Sequence, residues 1–288
     1  MRDNLKVILP KGRIQARVLD LLGRIGMPFA ADDRSLRSTC GREGVEAKFL
    51  KPQNVPQLVA LGRHDCGFTG RDWIVEQGSE VVELLDLGFD PVRLVAAAPE
   101  SVTAADLRSR RIVVASEYAN IAGRYIEDMG LDAVFIRSFG ATEALPPEDA
   151  DLIVDNTASG STLRQNRLAV VDEIMRSTTR FVANSAALGN PFKRKMLDEM
   201  TMLMKSTLCA RERVLLEMNV PADRFDAVVE GLPCMKSPTI AKLYNEAGFA
   251  VKVAVPSCDV PSLVPRLIAL GATDILEYKL EKIVVNGK

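Results

Sequence analysis

Residues Leu5 to Gly26, LKVILPKGRIQARVLDLLGRIG, decide the fold. The opening LKVILP is a short apolar strand. After a Lys-Gly-Arg turn, Ile14, Val18, Leu21, Leu22 and Ile25 recur at the spacing of one helix face. A strand, a basic glycine turn and a helix form the repeating unit of an α/β protein. The unit returns further along. HDCGFTGRDWIVEQG (64–78) passes from strand to helix near the Gly67 to Asp72 turn, PVRLVAAAP (91–99) and RIVVAS (111–116) read as strands, and YANIAGRYIEDMG (118–130) keeps the helix period in Ile121, Tyr125 and Met129. This alternation predicts helices layered on mostly parallel sheets.

Past about residue 210 the rhythm changes. RERVLLEMNV is strand-like, PADRFDAVVEGL opens with Pro and acid as a helix does, and SPTIAKLYNEAGFAVKVAVP holds two strand runs around an Asn/Gly turn. DVPSLVPRLIALGA is a helix ending at Gly271, and DILEYKLEKIVV a final strand. The order βαββαβ is the ferredoxin-like split motif. It predicts a C-terminal module reached through the helical stretch PFKRKMLDEMTMLMKSTLCA (191–210).

Composition narrows the function. The chain has 288 residues, room for two or three modules; 47% are hydrophobic and 26% charged, as in ordinary soluble globular proteins. Thirty-seven basic and 38 acidic side chains nearly cancel, so no global field selects nucleic acid or a membrane, and an anionic ligand needs a local cluster. Five cysteines without a C-x-x-C pair fit reduced thiols in a cytoplasm. The N-terminus lacks the apolar core of a signal peptide, and no apolar run approaches the ~20 residues that span a bilayer. A single histidine, His64, excludes a His-rich metal centre.

The chemistry concentrates in DLIVDNTASGSTL (151–163). An apolar strand ends in an acid and opens into Thr, Ser and Gly before a helix, the arrangement in which amides, hydroxyls and a helix N-terminus cradle a phosphate. Gly160 lets the backbone approach a ligand with no Cβ in the way. Asp155 is placed to accept hydrogen bonds from ribose hydroxyls. The competing reading has Ser161 or Thr162 simply capping the helix. A cap needs one hydroxyl, whereas Thr157, Ser159, Ser161 and Thr162 supply four.

DLIVDNTASGSTLRQNRL followed by EIMRSTTRFVAN resembles the phosphoribosyl-pyrophosphate loop of the ATP phosphoribosyltransferase family; Asp151, Ile153, Asp155, Gly160, Thr162, Leu163, Asn166, Leu168, Ile174 and Ser177 match its pattern. Ser159 replaces the usual Thr and keeps the hydroxyl, while Asn156 and Thr157 stand where apolar residues are usual. LPKGR (9–13) and GFTGRDWIVE (67–76) resemble two further signatures in the same order, the latter through Gly67, Thr69, Gly70, Asp72 and Glu76. LKPQNVPQLVALG resembles a third, with Asn54 for the usual Asp; FGATEALPPE keeps Glu143 of a fourth but departs at Ala141 and Thr142. LPCMKSPTIAKL and GATDILEYKLEKI resemble the C-terminal segments of the long form, with Cys234 for Gly.

The resemblance implies a two-lobed core like the type II periplasmic binding proteins plus a ferredoxin-like domain. Lobe I would comprise residues 1–92 and 183–209, lobe II 93–182, and the regulatory domain 210–288. It implies an enzyme that joins adenine N1 of ATP to C1 of phosphoribosyl pyrophosphate with Mg2+, releasing pyrophosphate, in the first step of L-histidine biosynthesis. Lys11, Arg13 and Glu143 would be catalytic. Asp151, Asp155, Thr157, Ala158, Ser159, Gly160, Ser161 and Thr162 would bind phosphoribosyl pyrophosphate, and Lys11, Gly12, Thr69, Gly70 and Asp72 would bind ATP. Asp72 and Glu143 are alternatively contacts to ribose or hydrated magnesium, or a cap or surface pair. Asn219, Ser237, Thr239 and Asp274 would meet L-histidine as inhibitor, with AMP a second inhibitor, in a homo-oligomer from dimer to hexamer. Two rivals remain at this level: a non-catalytic solute-binding or sensor protein, and a phosphoribosyltransferase acting on another base.

Overall fold

The computed structural model describes residues 4–30, 36–233, 237–244 and 247–284. In chain order the elements are β1 (Leu5–Pro10), α1 (Gln15–Arg24), β2 (Arg37–Ser38), β3 (Val45–Leu50), α2 (Val55–Ala60), β4 (Cys66–Gly70), α3 (Arg71–Gln77) and β5 (Val82–Asp86). Then come β6 (Val92–Pro99), α4 (Ala104–Ser109), β7 (Ile112–Ser116), α5 (Ala119–Asp128), β8 (Ala133–Arg137), β9 (Leu152–Thr157), α6 (Ser161–Gln165), β10 (Leu168–Ser177), β11 (Thr179–Ala183), α7 (Ser185–Gly189) and α8 (Pro191–Arg211). The last are β12 (Arg213–Val220), α9 (Phe225–Glu230), β13 (Thr239–Lys242), β14 (Phe249–Pro256), α10 (Val260–Ala269) and β15 (Thr273–Lys279). Two compact units divide the chain, Met1–Asp198 and Glu199–Lys288, with the division inside α8.

The first unit holds two sheets, β2-β3-β1-β4-β11-β5 and β10-β6-β9-β7-β8. Helix α1 forms because its apolar stripe has a core to cover: Val18, Leu21 and Leu22 are fully buried, and Arg24 lies at the carbonyl end where a cation is favoured. Around the second sheet, Leu94, Val114, Leu152 and Val154 pack with Ile121, Ala122 and Tyr125 of α5.

The expectation of mostly parallel sheets is corrected. β1 runs parallel to β3 and β4, and β7 to β8 and β9, but β2/β3, β4/β11, β5/β11, β6/β9 and β6/β10 are antiparallel. Apart from the two-residue edge strand β2, the reason is traffic between lobes: β6 receives the chain from the first sheet and β11 carries it back, so each enters its sheet against the prevailing direction. The return begins at Thr179, where β11 already pairs with β4, not at residue 183. The two crossings lie side by side, with the Leu87 amide donating to the Thr179 carbonyl and the Thr179 amide to that of Phe89, each at 3.0 Å.

The second unit is the βαββαβ module. Its sheet runs β13-β14-β12-β15, antiparallel throughout. Alternate residues Val214, Leu216, Met218 and Val220 of β12 meet Val251, Val253 and Val255 of β14, with Val228 of α9 and Leu263 and Leu267 of α10 covering that face. The last strand stops at Lys279, short of the run to Val285 suggested by its sequence. Its neighbour β12 begins at Arg213, the pairing ends at Val214 opposite Lys279, and among the described residues no ladder continues beyond it; Val285 itself lies outside them.

Candidate functional site

Strand β9 delivers the phosphate-loop residues to a cavity of about 370 Å³ bounded by Arg13, Glu117, Gly140 to Glu143 and the loop Asp155 to Leu163. Gly160 turns the chain at φ 74° into α6, and an added Cβ there would stand 3.0 Å from Nη1 of Arg164. The loop is braced from within: Thr157 Oγ1 accepts from the Gly160 amide at 3.0 Å, and Arg164 Nη1 donates to the Ser159 carbonyl at 3.1 Å. Ser159 Oγ donates to Ser161 Oγ at 3.0 Å. Gly160 is the N-cap of α6 and no side chain caps it, so the reading of Ser161 or Thr162 as a simple helix cap does not hold.

Asp155 faces this cavity. Burial pushes its carboxyl up to about 7, the Asn156 amide at 2.7 Å works against that rise, and the charges of Glu143 and Glu117 add to it. Three acids therefore share a half-enclosed space in which a ribose diol or a cation is welcome. Among the described residues no three His, Cys, Asp or Glu side chains converge closely enough to hold a metal unaided. The set fits Mg2+ that keeps phosphate oxygens and waters as its main ligands and takes one or two carboxylates, the habit of that ion.

A second cavity of about 490 Å³ adjoins the first and shares Arg13, Glu117 and Asn156 with it. Its floor is the β1–α1 turn: Gly12 at φ 86° lets the chain reverse, and Lys11 and Arg13 line the space with no ion-pair partner among the described residues. Gly70, Asp72, Trp73, Tyr118 and Ser177 complete it. A third space of about 740 Å³ continues past Lys51, Gln53 and Trp73 to Asn54, Arg137 and Phe139. Glu117 lines all three, so they form one groove.

One hydrogen-bond chain ties the lobes across this groove. Ser177 Oγ donates to Asp72 Oδ1 at 2.8 Å and the Tyr118 hydroxyl to Asp72 Oδ2 at 2.7 Å; Asn156 Nδ2 in turn donates to that hydroxyl at 3.0 Å. Tyr118 is 1% exposed and its ring stacks on Trp73 with centroids 4.5 Å apart. Burial and the adjacent Asp72 carboxylate push the phenol's pKa far up, so it stays a neutral donor. One turn further along α3, the Glu76 carboxylate accepts from the amides of Asn120 and Ile121 at 3.0–3.1 Å, capping α5 from the opposite lobe.

Thus Lys11, Gly12, Arg13, Gly70, Asp72, Glu143, Asp155 and residues 157–162 come together along the groove. Two expected residues do not. Asp151 precedes β9 at the strand's far end, where it pairs with Arg110 at 2.6 Å and accepts from the Val113 amide; burial alone would raise its carboxyl, but these donors hold it below the usual range. Thr69 is fully buried and its hydroxyl is spent on the Pro52 carbonyl at 2.9 Å, pinning the turn that presents Lys51 and Gln53. Asn54, the departure from the family's acid, lies exposed on that turn.

Glu117, Tyr118, Trp73 and Lys51 were missed. A signal existed for Glu117 and Tyr118: they follow strand RIVVAS and precede a helix, and ligands in open α/β sheets bind beyond the carboxyl ends of strands. In the second unit, Asn219 Nδ2 donates to Asp274 Oδ2 at 3.0 Å across β12 and β15, where Asp274 has φ 52°. Ser237 and Thr239 are exposed, Thr239 on the edge strand β13. Cys234 lies outside the described residues. No helix among the described residues is long and apolar enough to cross a membrane.

Known proteins similar to this chain cover nearly all of it. Residues 51–206 match the family model described as ATP phosphoribosyltransferase, and residues 210–282 match that of the HisG C-terminal domain. The ATP phosphoribosyltransferase of Thermodesulfovibrio yellowstonii is 40% identical over 293 residues, covering 99% of this chain and all of that one. That of Pelodictyon phaeoclathratiforme is 38% identical, covering 97% of each. Among solved structures, the ATP phosphoribosyl transferase (HisG:HisZ) complex from Thermotoga maritima aligns with a TM-score of 0.63 at 26% identity, over 70% of this chain and 98% of that one.

Proposed function

The chain belongs to the ATP phosphoribosyltransferase family, and from that premise we propose that the groove between its two sheets carries out the first step of L-histidine biosynthesis with the residues described above. The enzyme joins adenine N1 of ATP to C1 of 5-phosphoribosyl 1-pyrophosphate and releases pyrophosphate. Membership sets aside both rivals, the non-catalytic binding protein and the transferase for another base. The observation that carries the residue roles is the single continuous groove running from the hydroxyl loop to the unpaired Lys11 and Arg13.

The difficulty of the reaction is charge. Adenine N1 holds a free lone pair at neutral pH, so no strong base is needed. Negative charge gathers on the departing pyrophosphate while C1 becomes electron-poor. In our reading the amides and hydroxyls of residues 157–162 fix the 5′-phosphate, and Asp155 takes the ribose hydroxyls, so C1 is held toward its nucleophile. Lys11 and Arg13, already pointing into the adjoining space, neutralise the leaving group. Glu143 and Glu117 repel that leaving group from the loop side and hold ribose hydroxyls or a cation. Mg2+, when bound with the pyrophosphate, supplies further charge neutralisation. Asp72 acts on ATP in part through Tyr118, since each of its oxygens already accepts one hydrogen bond from a protein hydroxyl. Asp151 and Thr69 take supporting roles.

For the second unit we propose the role of an inhibitory L-histidine module within a homohexamer built from dimers, in a cytoplasmic enzyme also open to AMP. The hydrogen-bonded Asn219 and Asp274 offer an amide and a carboxylate to an amino acid's charged ends. The direct test mixes protein, Mg2+, ATP and phosphoribosyl pyrophosphate and follows the near-ultraviolet absorbance of the N1-substituted adenine. No change from a demonstrably folded protein would falsify the activity. Lys11→Ala tests the roles: turnover should fall while the melting temperature holds, and unaltered turnover removes Lys11 from the mechanism.

A further inference from the structure

Away from the groove, β1, β2, β3 and the turn entering β4 enclose a separate cavity of about 250 Å³ lined by Lys6, Arg37, Glu46, Lys48, Arg63 and His64. It shares no residue with the three spaces of the groove. Strand register builds it. Lys6 sits opposite Glu46 and Arg37 opposite Lys48, while Val7, Val45 and Phe49 turn the other way into the core.

Among the described residues, the acids nearby are already hydrogen-bonded or paired. Glu46 accepts from Asn4 Nδ2; Asp65 accepts from the Lys6 amide and pairs with Lys193 at 2.9 Å. Lys6, Lys48 and Arg63 have no ion-pair partner among the described residues, so positive charge is left over around an enclosed space. His64, the one histidine of the chain, adds a second signal: it lines the cavity, and its Nδ1 is sealed from solvent without a hydrogen-bond partner, which favours the ring proton on Nε2 because a buried N–H without an acceptor is costly. Burial first, then the charges of Lys48, Lys6 and Arg37, hold the ring's pKa below its ordinary value, with Asp65 opposing. The cavity therefore presents unpaired cations beside a neutral N–H donor.

We propose that this cavity is a second anion site on the first lobe, taking a small phosphate-bearing anion of the size of pyrophosphate between Lys6, Lys48 and Arg63, with His64 Nε2 as the directional donor. The volume equals about eight waters at roughly 30 Å³ each, room for the oxygens of a diphosphate but not for a whole nucleotide. The site does not depend on the roles proposed for the groove.

The sole imidazole gives the test its readout. The full-length protein, labelled in histidine, is titrated with inorganic pyrophosphate and separately with orthophosphate while the single Cε1–H resonance is followed. The expected result is a saturable shift with pyrophosphate and a ring titration midpoint raised by about one pH unit, as an opposite charge at contact distance gives. Saturation by orthophosphate as well assigns one phosphoryl group as sufficient and supports the site equally. The shift should vanish in the Lys6→Gln/Lys48→Gln variant and survive in Lys11→Ala. No saturable shift, an equal shift with sodium chloride at matched ionic strength, or a shift retained without the two lysines would overturn the proposal. Loss of the shift in Lys11→Ala would assign it to the groove and overturn it too. Should the double variant fail to fold, Arg63→Gln, on an exposed turn, takes its place.

Discussion

Tyr118→Phe isolates one hydroxyl at the junction of the lobes. The phenyl ring keeps the stack on Trp73 and fills the same space, so no cavity term enters. What disappears is a hydrogen bond of 2.7 Å to a carboxylate that is 5% exposed, and the acceptor for Asn156 Nδ2 at 3.0 Å. A hydrogen bond to a charged group contributes about 1.5–3 kcal/mol, and Asp72 retains only Ser177 as a side-chain partner on its other oxygen. At roughly 2–4 °C per kcal/mol for a unit of this size, the melting temperature should fall by about 3–12 °C. Asn156→Leu, which restores an apolar residue at that position, should cost less, and the double variant should lose clearly less than the two singles summed, because both act on one chain of bonds. Thermal and denaturant melts of the four proteins provide the measurement. A Tyr118→Phe melting point within about 1 °C of the parent, or strict additivity in the cycle, would refute the network as the tie between lobes.

Asp155 gives a pH signature. Its folded carboxyl lies near 7 against about 3.9 unfolded, so the folded protein holds a proton that the unfolded chain has released between those values. That contribution is complete below about pH 4, declines as pH rises and is gone above about 7, a loss on the order of 4 kcal/mol at 1.36 kcal/mol per unit. Asp155→Asn should flatten this slope in denaturant melts between pH 5 and 8 and abolish turnover; an unchanged slope refutes the assignment. Gly160→Val places a branched residue at φ 74° against Arg164 and should remove phosphoribosyl pyrophosphate binding in calorimetry while ATP binding stays measurable. Equal loss of both ligands counts against the loop's role. Asp274→Ala should raise the L-histidine concentration for half-inhibition by about tenfold or more, one lost contact of about 1.4 kcal/mol, with uninhibited rates intact; an unmoved inhibition curve removes Asp274 from the effector site.

The parts of the molecule visible in its sequence are those governed by local rules. The β1–α1 unit shows because its strand is nearly all apolar and its helix carries one clean stripe, and the C-terminal module because its strand and helix runs follow in βαββαβ order. The hydroxyl loop shows because its residue types exceed what a cap requires. Asp151 misled because sequence proximity conceals direction: six strand residues span roughly 20 Å, so an acid before β9 and a loop after it lie at opposite ends. Thr69 misled because a hydroxyl in a motif says nothing about which way it points. β10 is illegible because it is half-exposed and carries two register shifts, so neither period holds along it. Asn156 shows as a departure from the family pattern, and only its place beside Tyr118 gives that departure a purpose.

The position of β11 between β4 and β5 has a consequence for the order of events on the ribosome. Among the described residues strand β5 pairs with β11 alone, so the first sheet stays split, with two raw edges, until everything from β6 to β10 has been made. At 5–20 residues per second that wait is roughly 5–20 s. The nascent chain must tolerate an unfinished sheet while its second half is translated, and the lobe begun first is the one completed last.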